Sequence, residues 1–104
     1  MSKATVRDAV KVAALAGGFA EDKDIARRIR IERVMPALEG GRSITLDFAG
    51  VDFCTQSFLH AMISEALRVY GEQGLGLIQF KSCNPTVKSV VLTVVEYSLD
   101  TQKA

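Results

Sequence analysis

The chain has 104 residues, 48% of them hydrophobic and 24% charged, with a formal net charge of +1. That is enough for one domain spanning residues 1–104, with its own core, and too little for two. The near-neutral balance gives no global electrostatic case for nucleic acid, a membrane surface or an acidic partner, and the absence of Trp weakens any base-stacking surface.

The two cysteines, Cys54 and Cys83, stand far apart, so they form neither a disulfide framework nor a CxxC motif. They are expected to be reduced, buried thiols of a cytoplasmic protein. The N-terminal stretch is broken by Arg7, Asp8 and Lys11, which makes it too short and too charged for a signal peptide or a membrane span.

The first segment, residues 4–16, reads as a strand, although "VRDAVKVAAL" fits a short helix as well. Gly17-Gly18 interrupts it. "EDKDIARRIRIERVMPALEGG" reads as a helix with acidic residues at its start, stopped by Gly40 and Gly41. Its apolar residues form no single stripe, and Pro36 is expected to kink it or open a new turn. In "SITLDFAGVDF", Ile44, Leu46 and Phe48 alternate with Thr45 and Asp47, the pattern of a half-buried strand.

Residues 55–74, "TQSFLHAMISEALRVYGEQG", give the clearest helix. Phe58, Leu59, Met62, Ile63, Ala66, Leu67, Val69 and Tyr70 form an apolar face, and His60, Ser64, Glu65 and Arg68 a polar one. Gly71 and Gly74 are expected to end it. A strand, "GLGLIQFKS", follows. "NPTVKSVVLTVVEYSL" closes as a helix, with Asn84 as N-cap and Pro85 in its first position. Strand and helix thus alternate through the chain. This implies a small α/β domain with parallel neighbours joined by right-handed crossovers, in a mixed sheet of about three to four strands packed against helices. Functional surfaces of such sheets gather beyond the carboxyl ends of the strands.

Few residues suggest chemistry. "GEQGLG" lacks the Lys-Ser/Thr of a phosphate loop and follows a helix rather than a strand. His60, the only histidine, lies three residues after Ser57, within reach on a helix, but "TQSFLH" is no nucleophile elbow. One His and two distant Cys make no metal site, and no cofactor is implied. Arg27, Arg28, Arg30 and Arg33 read as a solvated helix face, with holding an acidic partner as the alternative. Thr55 and Ser57 suit an N-cap, and a helix N-terminus also accommodates a phosphate, so the two roles are compatible.

"SITLDFAGVDFCTQSFLHAMISEAL" resembles the STAS-like domains of unknown function, small bacterial proteins in which L-D-F is followed by G-V, S-F and a helix. The resemblance spans roughly residues 17–98. That family is similar in turn to STAS domains, the fold of anti-sigma factor antagonists. Those act by binding a histidine-kinase-fold ATPase that phosphorylates a serine at a helix start. Aligned on Asp47, Gly50, Val51 and Phe53, the STAS D-S-S-G pattern falls on Thr55, Gln56, Ser57 and Phe58. The usual acceptor position is therefore a glutamine here, and phosphorylation does not simply carry over.

The resemblance implies a non-enzymatic binding module and a protein partner, with Thr55, Gln56 and Ser57 as candidate contact or acceptor residues. Asp52, His60, Ser64 and Arg68 are the candidate interface. A nucleotide or small-molecule sensor using the strand-end crevice is the alternative. A homodimer through edge strands stays open.

Overall fold

The computed structural model describes residues 8–103, with side chains described through residue 100. Strand β1 (Asp8–Lys11) runs directly into a short helix, α1 (Val12–Ala16), and β2 (Phe19–Ala20) follows. Helix α2 (Lys23–Ile29) passes through a π turn (Arg30–Val34) into α3 (Met35–Glu39). Next come β3 (Ile44–Asp47) and β4 (Phe53–Cys54). Helix α4 (Gln56–Leu59) continues through a second π turn (His60–Ser64) into α5 (Glu65–Leu77). Strand β5 (Ile78–Lys81) and the long α6 (Pro85–Lys103) complete the chain.

Among the described residues every strand pairing is parallel. A three-stranded sheet has the order β1-β3-β5, in which Val10 stands beside Leu46 and Leu46 beside Phe80. A separate two-rung pair joins Phe19 to Phe53 and Ala20 to Cys54 across β2 and β4. The α/β alternation read from the sequence is present, with its strands divided between two sheets.

The larger sheet buries one face. Val10, Ile44, Leu46 and Ile78 are buried on it, as the spacing of two predicts. The other face carries Ala9, Thr45 and Gln79 in one row and Lys11, Asp47 and Lys81 in the next, all exposed or half-exposed. Parallel sheets are ordinarily covered on both faces. Here the polar rows suit water: Thr45 Oγ1 donates to Gln79 Oε1 at 3.4 Å, and Asp47 lies between two lysines.

The π turns explain why the helix over residues 23–39 shows no clean apolar stripe. Its buried residues are Ala26, Ile29, Val34, Ala37 and Leu38. The step from Ile29 to Val34 is five residues, where an α-helix would use three or four. The Met35 N–H accordingly donates to the Arg30 carbonyl, five residues back. Pro36 sits just beyond. It lacks an N–H, and in a regular helix its ring would press on the Glu32 carbonyl. The expected kink at Pro36 is thus taken up by the π turn that precedes it.

Other boundaries also differ from the sequence reading. Gly71 does interrupt α5, with φ 63° and ψ −148°, but residues 72–77 turn helical again. Leu75 and Leu77 therefore precede the strand rather than belonging to it. The closing helix, read as ending at Leu99, continues through Lys103. Residues 4–7 of the first segment lie outside the described part, and residues 8–16 are strand and then helix. Val69, placed on the apolar face, is exposed. No helix among the described residues is long and apolar enough to cross a membrane.

Candidate functional site

The segment between β3 and α4 lies beyond the carboxyl end of the central strand. It begins with a tight turn. The Ala49 N–H donates to Asp47 Oδ1 at 2.9 Å, and the Val51 N–H to the Phe48 carbonyl at 2.9 Å. Gly50 has φ 87°, a conformation that L side chains rarely adopt, and a Cβ there would lie 3.3 Å from Ala13 Cβ of α1.

The loop is then held from two sides. The Gly18 carbonyl accepts from the Asp52 and Phe53 amides at 2.8 and 3.2 Å, and the Ala20 carbonyl from Thr55 N–H at 3.0 Å. From the opposite side, Asn84 Nδ2 donates to the Asp52 carbonyl at 3.0 Å and to that of Val51 at 3.4 Å. The same Asn84 caps α6 through its Oδ1, which accepts the Val87 N–H at 2.7 Å. The cap was legible in the sequence; the clamp on the loop was not.

At the start of α4 the three polar residues separate by role. Thr55 is the N-cap: its Oγ1 accepts the Phe58 N–H at 3.0 Å, and it is half-buried. Gln56 and Ser57 are exposed. Phe58 and Leu59 are fully buried and anchor the helix, each such side chain stabilising by about 1.5–3 kcal/mol. The phenylalanine in the place of the STAS glycine is therefore a core residue.

Gln56 and Ser57 line a shallow hollow of about 350 Å³ with Lys23, His60, Ala61 and Tyr97. The hollow joins the start of α2, the start of α4 and the middle of α6. His60 Nδ1 lies 3.1 Å from the Tyr97 hydroxyl, and the two rings are 5.8 Å apart. Lys23 and Tyr97 belong to this site and were missed in the sequence, because each is more than thirty residues from Ser57 and neither sits in a motif.

The other candidates fall as follows. Asp52 and Arg68 are exposed. Ser64 is corrected: it is 2% exposed, and Ser98 Oγ donates to its hydroxyl at 3.2 Å, so it is no surface contact. The π turn over His60–Ser64 supplies the reason. One residue more per turn shifts the helical phase by about 100°, which turns Ser64 from the face of His60 into the core. Beside the loop, the exposed Phe19 stacks on Phe53 with centroids 5.0 Å apart, a pairing set by the β2–β4 register.

The thiols are poor nucleophiles. Burial, with Cys83 nearby, pushes Cys54 up to about 11. Burial also raises Cys83, with Lys88 opposing and Asp47 adding to the rise. Both stay protonated at neutral pH. Among the described residues no group of three or more His, Cys, Asp or Glu is placed to hold a metal ion.

The family model described as STAS-like domain of unknown function (DUF4325) matches residues 26–88, and the chain belongs to that family. Searches of curated proteins and of solved structures gave no significant match.

Proposed function

We propose that this STAS-like chain is a non-enzymatic regulatory module that binds a protein partner, a histidine-kinase-fold ATPase or a similar signalling protein. The contact surface is the 50–57 loop, the first turn of α4 and the rim of the hollow beside Lys23, His60 and Tyr97. One observation carries this reading: Gln56 and Ser57 stand exposed at a helix start whose capping is already supplied by Thr55. Their side chains are thus available to a partner. The loop that leads to them is fixed at residues 51–53 by Gly18 and Asn84, so little ordering is needed on binding. Exposed Phe19, stacked on Phe53, adds an aromatic anchor of the kind that dominates interfaces.

Where the module is phospho-regulated, Ser57 is the acceptor rather than Thr55. The Thr55 hydroxyl is engaged by Phe58, whereas Ser57 faces the hollow with a lysine on its rim.

The test is co-purification from the native host with tagged wild-type chain and with Ser57→Asp and Phe19→Ala variants, read by mass spectrometry of bait and partner. Loss of one stoichiometric ATPase partner in the variants supports the reading. A partner retained by both variants, or stabilisation by a nucleotide with no protein partner, overturns it in favour of a ligand sensor.

A further inference from the structure

A groove lies between α1 and the helix of residues 23–34, away from the hollow described above. Leu15, Ile25, Arg28, Ile29, Glu32 and Arg33 line about 340 Å³. Its floor is aliphatic: Ile29 is buried, Ile25 half-buried, and Leu15 is 52% exposed. Its rim carries two arginines, Arg28 and Arg33, and one acid, Glu32. Arg33 is fixed there by donating to the Ala9 carbonyl at 3.2 Å, which leaves further N–H donors on the same guanidinium. Arg28 makes no hydrogen bond or ion pair among the described residues.

Residues 23–34 carry five Lys or Arg against two acids, on a chain whose formal net charge is only +1. Of the charged residues on this helix, Arg28, Arg33 and Glu32 line the groove, whereas Lys23 lines the other hollow and Arg30 donates to the Ala61 carbonyl. An aliphatic floor with a guanidinium at its edge that has no partner among the described residues complements an apolar side chain next to a carboxylate. The volume, at the lower end of the range for ligand pockets, holds one or two anchoring side chains rather than a whole helix. Glu32 on the same rim repels a second carboxylate, which confines the acid to the arginines.

We propose that this groove docks an acidic peptide segment of a partner protein, with a leucine-, isoleucine- or phenylalanine-type anchor over Leu15, Ile25 and Ile29 and its carboxylate on Arg28 or Arg33. The docking does not depend on the 50–57 surface.

The test is fluorescence anisotropy with two labelled peptides of about twelve residues, both with leucines at i and i+4, one flanked by glutamates and the other by lysines. The acidic peptide binds at least about tenfold tighter at low salt, and the difference shrinks as salt rises to about 300 mM. Arg28→Glu removes that preference. Lys88→Glu, the same charge change on α6, leaves it intact. Leu15→Asp weakens binding of the acidic peptide; if that variant fails to fold, the exposed Arg28 still decides. No measurable binding of the acidic peptide up to about 1 mM, equal binding of both peptides, or binding unchanged in Arg28→Glu overturns the proposal. A dimer in solution that Arg28→Glu dissolves also overturns it, in favour of a second copy of the chain.

Discussion

Asn84 grips two elements at once: its Oδ1 accepts the Val87 N–H at 2.7 Å and its Nδ2 donates to the Asp52 carbonyl at 3.0 Å. Two variants separate these functions. Asn84→Asp keeps the capping acceptor and loses the donor, so α6 is retained and the loop loosens. Hydrogen exchange at Asp52 and Phe53 should then quicken with little change in the urea midpoint. Asn84→Ala loses both contacts and should cost about 1–3 kcal/mol. Equal stability of the two variants would show that the loop contact is the only one that matters.

Thr55 and Ser57 should respond differently to the same change. Thr55→Ala leaves the Phe58 N–H without its acceptor and should cost about 1 kcal/mol. Ser57→Ala removes an exposed hydroxyl and should stay within about 0.5 kcal/mol of wild type. Urea denaturation measures both. A large loss in Ser57→Ala would assign that residue a structural role and weaken its place on the contact surface.

The Ser64–Ser98 pair bridges the π turn to α6 inside the core. Removing one hydroxyl strands the other and should cost about 1–3 kcal/mol, whereas Ser64→Ala with Ser98→Ala together should come close to neutral. A double-mutant cycle reads this non-additivity. Additive losses would mean that the hydroxyls do not depend on each other.

Stability should fall in the alkaline range. The Cys54 thiol is held near 11 in the fold against 9.0 for the unperturbed group. Above pH 9 the unfolded chain releases this proton and the folded chain keeps it, so the contribution is full below 9 and lost as pH climbs toward 11. The loss is of order 2 kcal/mol. Comparing urea midpoints at about pH 8 and about pH 10.5, with Cys54→Val as the control, isolates it. An identical decline in the valine variant would assign the pH dependence to other groups.

Legibility in the sequence followed local periodicity. Ile44, Leu46 and Phe48 announce β3 and are buried, and Val87, Val90, Val91, Val94 and Val95 behind an Asn-Pro start announce α6; of these Val87, Val91 and Val94 are buried and Val90 and Val95 half-buried. The β2–β4 pair escaped because strands of two residues have no period to read. Ser64 was misplaced because a constant 100° per residue fails across a π turn. At the site, Thr55, Gln56 and Ser57 were found because a helix start has a residue signature. Lys23 and Tyr97 were not, since only folding brings them to that helix start, nor was Phe19, which only folding stacks on Phe53.

The five-residue step between Ile29 and Val34 also bears on how this chain should be aligned with others. A relative one residue shorter across Arg30–Val34 would run a regular helix there and still keep the equivalents of Ile29, Val34 and Leu38 in phase. A single gap at that point is then a true correspondence, and closing it to favour uninterrupted pairing would set every later residue of the helix against the wrong neighbour. Such shorter relatives should also lack proline at the position of Pro36, because the regular turn leaves its ring no room.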